Sequence, residues 1–379
     1  MFSVVLYFIF QKIRMTLLAI YVVIYSSYLL VFLWGGWIRL QRKKSQVNQE
    51  KSIGIENITV VIPFRNEEKR IPLLLESIKQ SQCLPQEIIF VDDHSEDQTH
   101  KLIEQIGNTS IKLISLENEI GKKRAIERGV KEAKTDFILT LDADVNFSPS
   151  FFTNLGTLSL SDLHILPVRQ NSVSFLNRFL QQDVLFANFL NGAAAGWIRP
   201  IFCSGANLLF KKEAYLEAIN ETSFFEIDSG DDVFLLREFQ RKNKKINVET
   251  DSNLEVETEL PKTIEESIHQ RMRWLGKSFK VGDRLANMLA QVQFVFSLLN
   301  IGFLISSIIF IPLKYALILI FLKVLIELLF SFHYYQKSKQ IGLWLTVPFY
   351  LLILPIINGM MLFAFLGFKP KWKGRLVVQ

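Results

Sequence analysis

Two aspartates, Asp142 and Asp144, follow the apolar run FILTL and are separated by a single residue. Residues two apart in an extended chain project from the same side, so both carboxylates face one way. Carboxylates held close together repel unless a cation or a proton joins them, and Mg2+ or Mn2+ takes oxygen ligands and also binds diphosphate oxygens. The pair predicts a divalent metal site that handles a diphosphate; an acidic β-turn is the alternative interpretation.

Polar residues also follow two other apolar runs, at points where parallel strands are expected to end. The run VVIPFRNEEKR contains Pro63, which is expected to end the hydrogen-bonded ladder, and then a turn with Arg65 and Glu67. The run EIIFVDD ends in Asp92 and Asp93, whose carboxylates can accept hydrogen bonds from a ribose or a base. Ligands of α/β folds bind at this edge of the sheet. These residues are therefore candidates for binding a group donor that contains a ribose and a base, called the donor below. Ordinary turn residues are the alternative.

A basic segment offers a contact for phosphate. The sequence NEIGKKRAIERG places Lys122, Lys123 and Arg124 directly after Gly121, where a helix is expected to begin. Basic side chains and free backbone N–H groups at a helix N-terminus bind phosphate. Lys122 is therefore a candidate for contact with the donor, and a solvated basic helix face is the alternative.

Two regions further along the chain are candidates for the acceptor side of a reaction. Asp231 and Asp232 open an amphipathic helix in DSGDDVFLLREFQ, where acidic residues are ordinary helix caps. A carboxylate near a reaction centre can also take a proton from an attacking hydroxyl, and no histidine is well placed to do so. Ser204 and Gly205 form a turn before an apolar run and are assigned to acceptor binding.

The segment SIHQRMRWLGKSFK directly precedes the C-terminal apolar region, and on a helix its residues Gln270, Arg273 and Trp274 share one face. The ring of Trp274 can stack on a ligand while Arg273 neutralises a phosphate near the bilayer surface. We expect this face to contact the donor, with Trp274 also reaching the acceptor. An interfacial Trp–Arg anchor is the alternative.

The composition calls for membrane segments around these residues. The chain has 379 residues, of which 49% are hydrophobic and 21% charged, with 32 Phe and a net charge of +6. Two widely separated cysteines, Cys83 and Cys203, offer neither a disulfide framework nor a thiolate zinc site, and the five histidines lack metal-ligand spacing. Any metal is therefore expected on oxygen ligands, in a reducing compartment.

The patterns divide the chain into three parts, of which the first two are an N-terminal membrane anchor with a basic exit, residues 1–44, and an α/β domain, residues 45–282. The uncharged stretch 16–37 is long enough to span a bilayer, and the following RLQRKK indicates a cytosolic exit. Within the α/β domain, short apolar runs alternate with helical stretches, which is typical of a buried parallel sheet. The predicted strands are residues 58–64, 87–93, 111–116 and 136–144.

The third part, residues 283–379, is a C-terminal membrane region with three or four segments and a basic tail. Its last apolar stretch contains Pro355 and could be a hairpin that returns to the same side of the membrane. Lys323 and Glu327 lie four residues apart inside another stretch and can pair on one helix face. We interpret that pair as a contact between helices rather than as part of a transport pathway.

In this order, the segments VIPFRNEE, VDDHSEDQT, DAD, GDD and QRMRW resemble those of the membrane-bound family 2 inverting glycosyltransferases, such as ceramide glucosyltransferase and the hyaluronan, chitin and cellulose synthases. The similarity covers residues 58–280. It implies a GT-A fold, a nucleotide-binding α/β domain with a mainly parallel sheet and helices on both faces, plus transmembrane helices.

The resemblance also implies roles for single residues. It assigns Asp93 to the nucleoside, Asp144 to the metal and the diphosphate with Asp142 beside it, and Asp232 to the catalytic base. Gln270, Arg273 and Trp274 match the QxxRW motif, which in such enzymes lies by the diphosphate and the acceptor channel. The sequence departs from the family in one place, because GDD stands where a Glu-Asp pair is more usual; Asp231 takes the first position.

The function implied is transfer of a sugar, with inversion, from a nucleotide-diphosphate donor, expected to be a UDP-sugar, to a lipid acceptor at the cytosolic face of a membrane, with Mg2+ or Mn2+. Processive polysaccharide synthesis is the alternative, and few membrane segments leave a narrow basis for a polymer channel. A noncatalytic sugar-nucleotide sensor and a transporter using Lys323 and Glu327 are less favoured. Nucleic-acid binding is not expected, because the basic residues are scattered or lie next to membrane segments.

Overall fold

The structure is a computed structural model. It describes residues 2–46, 51–171, 175–220, 231–261, 263, 265–267, 269–272, 274, 283–310, 312–367, 371–372 and 375–376.

The strands are β1 Ile58–Phe64, β2 Glu87–Asp92, β3 Ile111–Ser115, β4 Phe137–Leu141, β5 Val145–Phe147, β6 Leu163–Ile165, β7 Val168–Asn171, β8 Asn207–Lys211, β9 Ile246–Val248, β10 Val256–Glu259, β11 Lys371–Trp372 and β12 Arg375–Leu376. The helices are α1 Phe2–Gln46, α2 Ile71–Lys79, α3 Thr99–Glu104, α4 Lys122–Glu132, α5 Phe151–Gly156, α6 Phe175–Trp197, α7 Lys212–Ile219, α8 Asp231–Arg241, α9 Arg284–Phe310, α10 Leu313–Lys337, α11 Ile341–Trp344 and α12 Val347–Gly367. Short 3-10 helices occupy Ile55–Asn57 and Ser252–Leu254.

A seven-stranded sheet, in the order β3-β2-β1-β4-β8-β6-β9, forms the centre of the α/β domain. The first four of these strands are parallel, and β8 runs antiparallel to both β4 and β6. The residues of β1, β2 and β4 are almost all buried, on both faces, because helices cover the sheet from both sides, which gives two separate apolar cores. Strand β3, at the edge of the sheet, is partly exposed. The α/β fold with a mainly parallel sheet is thereby confirmed, and the four predicted strands appear as β1 to β4 with ends that differ by up to three residues.

A smaller sheet flanks the first. It has the order β5-β10-β7, with β10 antiparallel to β5 and parallel to β7. Because β5 starts directly after the turn that carries Asp142 and Asp144, this sheet fixes the far side of that turn.

Pro63 does not end the ladder of β1, which corrects the sequence-based expectation. The parallel pairing with β2 continues through Pro63↔Val91 and one residue beyond it. Pairing with β4 on the other side stops earlier, at Val61↔Thr140. At Pro63 that side of β1 is therefore an edge, and the N–H group that proline lacks removes no hydrogen bond between strands there.

Three helices are long and apolar enough to cross a membrane, with candidate spans Ile9–Gly36 in α1, Arg284–Ser306 in α9 and Leu313–Phe332 in α10. In α12 the apolar part with described side chains, Val347–Gly359, is shorter. The hairpin expected around Pro355 is wrong, because α12 runs through this proline as one helix. The number of C-terminal membrane segments stays a prediction.

Helix α6, which the sequence patterns did not predict, packs along α1, the N-terminal helix that contains a candidate membrane span. Gly35 of α1 makes the close approach possible: a Cβ there would lie 2.2 Å from Trp197 Cδ1 and 2.5 Å from the carbonyl oxygen of Ala193. The indole N–H of Trp197 donates to the carbonyl oxygen of Val31 at 2.7 Å, and its ring contacts that of Trp34 edge-on. Helix α6 therefore connects the α/β domain to the membrane helices.

Candidate active site

The loops after β1 and β2 are hydrogen-bonded to each other at the carboxyl edge of the sheet. The N–H of Asn66 donates to the hydroxyl of Ser95 at 3.1 Å, and the side-chain oxygen of Asn66 accepts from the N–H of Glu96 at 2.8 Å. Asn66 has a φ of 52°, in the left-handed region that non-glycine residues adopt rarely. The contacts across the two loops hold it there and give the edge a fixed shape.

Glu67 and Asp97 face into these loops. The N–H of Glu67 donates to the hydroxyl of Thr99 at 2.8 Å, and its buried carboxylate lies 3.5 Å from Arg70. Burial raises the pKa of Asp97, but hydrogen bonds from Thr99 and from the N–H of Glu68 outweigh it and hold that pKa below its usual range. The structure thus surrounds Glu67, a predicted donor-binding residue, with partners from the protein.

Asp93 lies at the centre of this edge and is 2% exposed. Its Oδ1 accepts from the N–H of Gly121 at 3.0 Å, and the ring of His94 lies 3.3 Å from the same oxygen. Nη1 of Arg65, itself 9% exposed, donates to the carbonyl oxygen of Asp93 at 3.3 Å. Arg65, Asp93 and the start of α4 therefore form one connected group.

Asp92, the other aspartate of the pair, has a local structural contact. Its Oδ1 accepts from the N–H of Ser95 at 2.9 Å, which closes the turn after β2. Asp92 is 6% exposed, and its neighbour Asp93 makes the contacts that reach α4. The two aspartates that the sequence placed together thus have different partners.

Lys122, the first residue of α4, meets the acidic turn after β4. Its Nζ lies 2.6 Å from Oδ1 of Asp142, and the two side chains are 23% and 33% exposed. Asp144 is half-buried two residues further along the same turn. The structure therefore brings the predicted phosphate-binding lysine to one of the two predicted metal-binding carboxylates, where both can reach a ligand from solvent.

The acidic turn fits a divalent metal that also binds substrate oxygens. Among the residues that the structure describes, no group of three His, Cys, Asp or Glu side chains is arranged to hold a metal. Asp142 and Asp144 offer only oxygen, and Mg2+ is commonly held by one or two carboxylates together with water and substrate phosphates. These residues would hold one side of the metal and leave the other side to a diphosphate.

Asp232, the second residue of α8, is bound to the turn that carries the predicted acceptor residues. Its Oδ2 accepts from the N–H of Gly205 at 3.2 Å, and its Oδ1 accepts from the N–H of Val233 at 2.8 Å. The thiol of Cys203 donates to the carbonyl oxygen of Asp232 at 3.2 Å. Asp231 begins the same helix, and its side chain lies outside the described part of the structure.

Strand pairing places this turn beside the acidic turn. Because β8 is antiparallel to β4, with Leu141 opposite Asn207, the turn before β8 lies at the same sheet edge as Asp142. Ser204 helps to shape this turn, since its carbonyl oxygen accepts from the N–H of Asn207 at 3.2 Å. The sheet edge therefore carries Asp93, the Lys122–Asp142 pair and the Gly205–Asp232 contact.

The segment that matches QxxRW is only partly described. Residues 269–272 and 274 are helical, Gln270 is half-buried and Trp274 is 38% exposed, whereas Arg273 lies outside the described residues. Whether this segment contacts the donor stays a prediction.

Sequence reasoning missed the residue inside that motif, Arg271, which forms an ion pair with Asp183 of α6. Asp183 also accepts from the hydroxyl of Tyr350 in α12 at 2.6 Å. This cluster ties the motif to a helix of the α/β domain and to the C-terminal apolar region. Only the arginine could have been found from the sequence, because its partners are more than 70 positions away along the chain.

The fold is an α/β domain with charged side chains gathered at the carboxyl edge of its sheet. Residues 59–216 match the model of the family Glycosyl transferase family 2. The fold is GT-A: the mannosyltransferase PcManGT from Pyrobaculum calidifontis, solved in complex with GDP-Man and Mn2+, has a similar structure with a TM-score of 0.51 at 14% identity, covering 90% of this chain and 99% of that one.

Two curated relatives match parts of the chain. Over 124 residues the chain is 40% identical to the undecaprenyl-phosphate 4-deoxy-4-formamido-L-arabinose transferase of Proteus mirabilis (strain HI4320), covering 31% of this chain and 38% of the relative. Over 92 residues it is 40% identical to the 4,4'-diaponeurosporenoate glycosyltransferase of Staphylococcus aureus (strain USA300), covering 24% of each chain. The chain thus spans well under half the length of either relative.

Proposed function

We propose that this protein is a membrane-bound glycosyltransferase that moves a sugar, with inversion, from a nucleotide-diphosphate donor to a lipid acceptor. One observation supports the proposal most strongly. The pairing of β4 with β8 puts the Lys122–Asp142 pair and the Gly205–Asp232 contact at one sheet edge. A group for the diphosphate and a carboxylate for the acceptor are therefore neighbours.

In this proposal the donor lies along the sheet edge. Asp93 and Arg65 take the nucleoside side, Lys122 contacts the diphosphate, and Asp142 and Asp144 hold the Mg2+ or Mn2+. The metal supplies positive charge that stabilises the departing nucleoside diphosphate. Like this chain, PcManGT has the GT-A fold, and its structure contains GDP-Man and Mn2+, which supports a nucleotide sugar and a divalent metal here.

Asp232 takes the proton from the acceptor hydroxyl. The hydroxyl oxygen attacks the anomeric carbon from the face opposite the diphosphate, the bond to the diphosphate breaks, and the configuration inverts. The N–H of Gly205 donates to one oxygen of Asp232 and so orients the carboxylate towards the acceptor. Ser204, Gly205 and Trp274 line the acceptor side, and Gln270 and Arg273 the diphosphate side.

A lipid is the acceptor that the relatives favour. One relative is named for undecaprenyl phosphate and the other for diaponeurosporenoate, which are both lipids. Three candidate membrane spans support a location in the membrane, where such molecules dissolve. The basic cluster after the first span supports a catalytic domain on the cytosolic side. Processive polymer synthesis is the alternative, and long products from active membranes would favour it.

The test measures release of nucleoside diphosphate from UDP- and GDP-sugars by membranes that contain the protein. Each donor is supplied with Mg2+ or Mn2+, and with or without added lipid extract. We expect release that needs the metal and the lipid and that is lost in Asp232→Asn while donor binding persists. Asp136→Asn is the matched control, because Asp136 is exposed next to the opposite end of β4.

The outcomes separate the parts of the proposal. If Asp232→Asn still transfers sugar, Asp232 is not the catalytic base. We expect that result if the acceptor group is already an anion, because it then needs no deprotonation. If the wild type releases nucleoside diphosphate at the same rate without added lipid as with it, the result would contradict a lipid acceptor. Absence of release from every donor, with nucleotide binding retained, would favour a noncatalytic sensor.

A further inference from the structure

Asp183 of α6 holds the segment that matches QxxRW from one side. Its Oδ2 is paired with the guanidinium group of Arg271, and its Oδ1 accepts from the hydroxyl of Tyr350 in α12 at 2.6 Å. The side chains of Asp183 and Arg271 are only 15% and 12% exposed, so water and salt screen their charges little. Removal of one charge would leave the other without its partner in a mostly buried place, which is costly.

The contact at Arg271 sets the orientation of the residues beside it. Residues 269–272 are helical, and successive side chains on a helix point about 100° apart. Once Arg271 is turned towards α6, the direction of Gln270 is fixed as well. Met272, the next residue, is fully buried and gives the segment a second point of attachment. The ion pair therefore controls how the helix face that begins with Gln270 is presented.

The two residues before Asp183 in α6 fix its position by binding other parts of the molecule. The side-chain NH2 of Gln181 donates to the carbonyl oxygen of Gln170 in β7 at 2.9 Å. The side-chain NH2 of Gln182 donates to the carbonyl oxygen of Leu343 in α11 at 2.9 Å. Both glutamines are buried. Three consecutive side chains of α6 thus contact the smaller sheet, the C-terminal apolar region and the QxxRW match.

The contact at β7 leads to the acidic turn through one row of the smaller sheet. In that row Thr258 of β10 lies between Gln170 of β7 and Val145 of β5. Val145 directly follows Asp144, the predicted metal ligand. A short path of paired strands and side-chain hydrogen bonds therefore connects the acidic turn to the polar residues of α6 that hold the QxxRW match.

We propose that Asp183 is a positioning residue, which holds the QxxRW segment at the distance from the acidic turn that lets it contact the β-phosphate of the donor. This inference rests on the proposed function, in which Gln270 and Arg273 line the diphosphate side. Asp183 acts through Arg271 and not on the substrate. Its loss weakens binding of a nucleoside diphosphate, whereas a nucleoside monophosphate, which has no β-phosphate, binds as before. A structural clasp between α6 and α12 is the competing role and would affect both nucleotides alike.

The nucleotide affinity of the full chain, purified in detergent, tests the proposal. The probes are UDP and UMP, and GDP and GMP, each with Mn2+; the variants are measured with the base that the wild type binds more tightly. Asp183→Asn keeps the size of the side chain and its acceptor for Tyr350 but loses the charge. We expect its Kd for the diphosphate to rise at least about tenfold and its Kd for the monophosphate to change less than about twofold.

Two further variants serve as controls. Asp183→Glu keeps the charge and should bind the diphosphate more tightly than Asp183→Asn does. Asp136→Asn, which removes the charge of an exposed aspartate, should change neither affinity.

A double substitution asks whether Asp183 acts through Arg271. Arg271→Gln should itself weaken diphosphate binding, because it removes the other half of the ion pair. In that background Asp183→Asn should raise the Kd by less than about twofold further, since no charged partner remains. If the tenfold loss is repeated there, Asp183 acts through the smaller sheet or α12, and the proposal is overturned.

The remaining outcomes separate this inference from the proposed function. An unchanged diphosphate affinity in Asp183→Asn, or an equal loss for both nucleotides, would overturn the positioning role and leave the proposed function intact. If the wild type binds the diphosphate no more tightly than the monophosphate, the diphosphate site of the proposed function fails, and this inference fails with it.

Discussion

At the scale of single residues, backbone contacts give the candidate site its shape. Asp93 is buried, and its side chain holds the N–H of Gly121, so the start of α4 is fixed against the end of β2. Gly121 has a φ of 109°, which a residue with a Cβ adopts only under strain. This turn is what allows the next residue, Lys122, to face Asp142.

The turn after β4 gives a prediction for the metal. If Asp144 holds it together with a diphosphate, Asp144→Asn should raise the Mn2+ concentration needed for half-maximal nucleotide binding at least about tenfold, because a neutral amide attracts the ion less. Titration of Mn2+ at fixed nucleotide measures this. Asp136→Asn is again the control, and an unchanged Mn2+ requirement in Asp144→Asn would exclude Asp144 as a ligand.

At the scale of elements, α6 joins the two halves of the molecule. It packs on α1 through Gly35 and orders the segment before β8 through Asn191. Between these contacts, Gln182 donates to the hydroxyl of Thr346 at 2.6 Å in the segment before α12. The helix thus transmits the position of the membrane helices to the loop that carries Gly205.

Two adjacent glycines of α1 test this packing. Gly35→Ala should lower the free energy of unfolding by about 1–3 kcal/mol, because the new methyl group would overlap with Trp197 and with the backbone of Ala193. Gly36→Ala, which meets nothing within 4 Å, should leave stability unchanged or raise it slightly. Thermal unfolding in detergent, followed with a thiol dye that reacts with the buried Cys203, measures both. Equal midpoints would show that the α1–α6 contact adds no stability.

Elements with strong local patterns could be predicted from the sequence, whereas contacts between distant segments could not. A short apolar run rich in β-branched residues predicts β1 at residues 58–64, and the structure has it at Ile58–Phe64, fully buried. The sequence pattern does not predict α6, because its apolar residues contact both the α/β domain and the apolar helices. They are therefore spread around the helix and show no simple period. The Gly205–Asp232 hydrogen bond depends on the antiparallel register of β8, which local pattern does not encode.

At the scale of the whole molecule, an ion pair connects the α/β domain to the membrane region. Nη1 and Nη2 of the Arg199 guanidinium group each donate to the carboxylate of Asp283 at 2.6 Å, and Nη1 also donates to the side-chain oxygen of Gln240 in α8. Asp283 in turn accepts from the N–H groups of Leu285 and Ala286 at the start of α9. Helix α8, which carries Asp232, is therefore attached to a candidate membrane span.

This connection predicts a dependence on pH. Burial raises the pKa of Asp283, but the hydrogen bonds from Arg199 and Ala286 outweigh it and keep that pKa below its usual range. A carboxyl group with a lowered pKa stabilises the fold above its ordinary pKa, and the contribution is lost as the pH falls through the lowered value.

Asp283→Asn should therefore lower the free energy of unfolding by about 1–3 kcal/mol at neutral pH, since Arg199 loses its charged partner. The difference from the wild type should shrink below about pH 4, where Asp283 becomes protonated in the unfolded chain, and vanish at lower pH, where it is also protonated in the folded protein. Melting temperatures over this range measure it, with Glu213→Gln as control because that carboxylate is 72% exposed. A difference that stays constant down to acid pH would assign the effect to packing instead of charge.

The candidate membrane spans change how the supply of the proposed lipid acceptor should be described. A lipid that reaches the protein by lateral diffusion never passes through water, so the governing quantity is the mole fraction of acceptor in the bilayer and not its amount per volume of solution. Excess detergent or inert phospholipid then acts as a diluent, and it slows turnover without touching the protein. If the membrane thickens or loses its acceptor during growth, the rate of such an enzyme would change because of the surrounding lipid, without any ligand that regulates the protein.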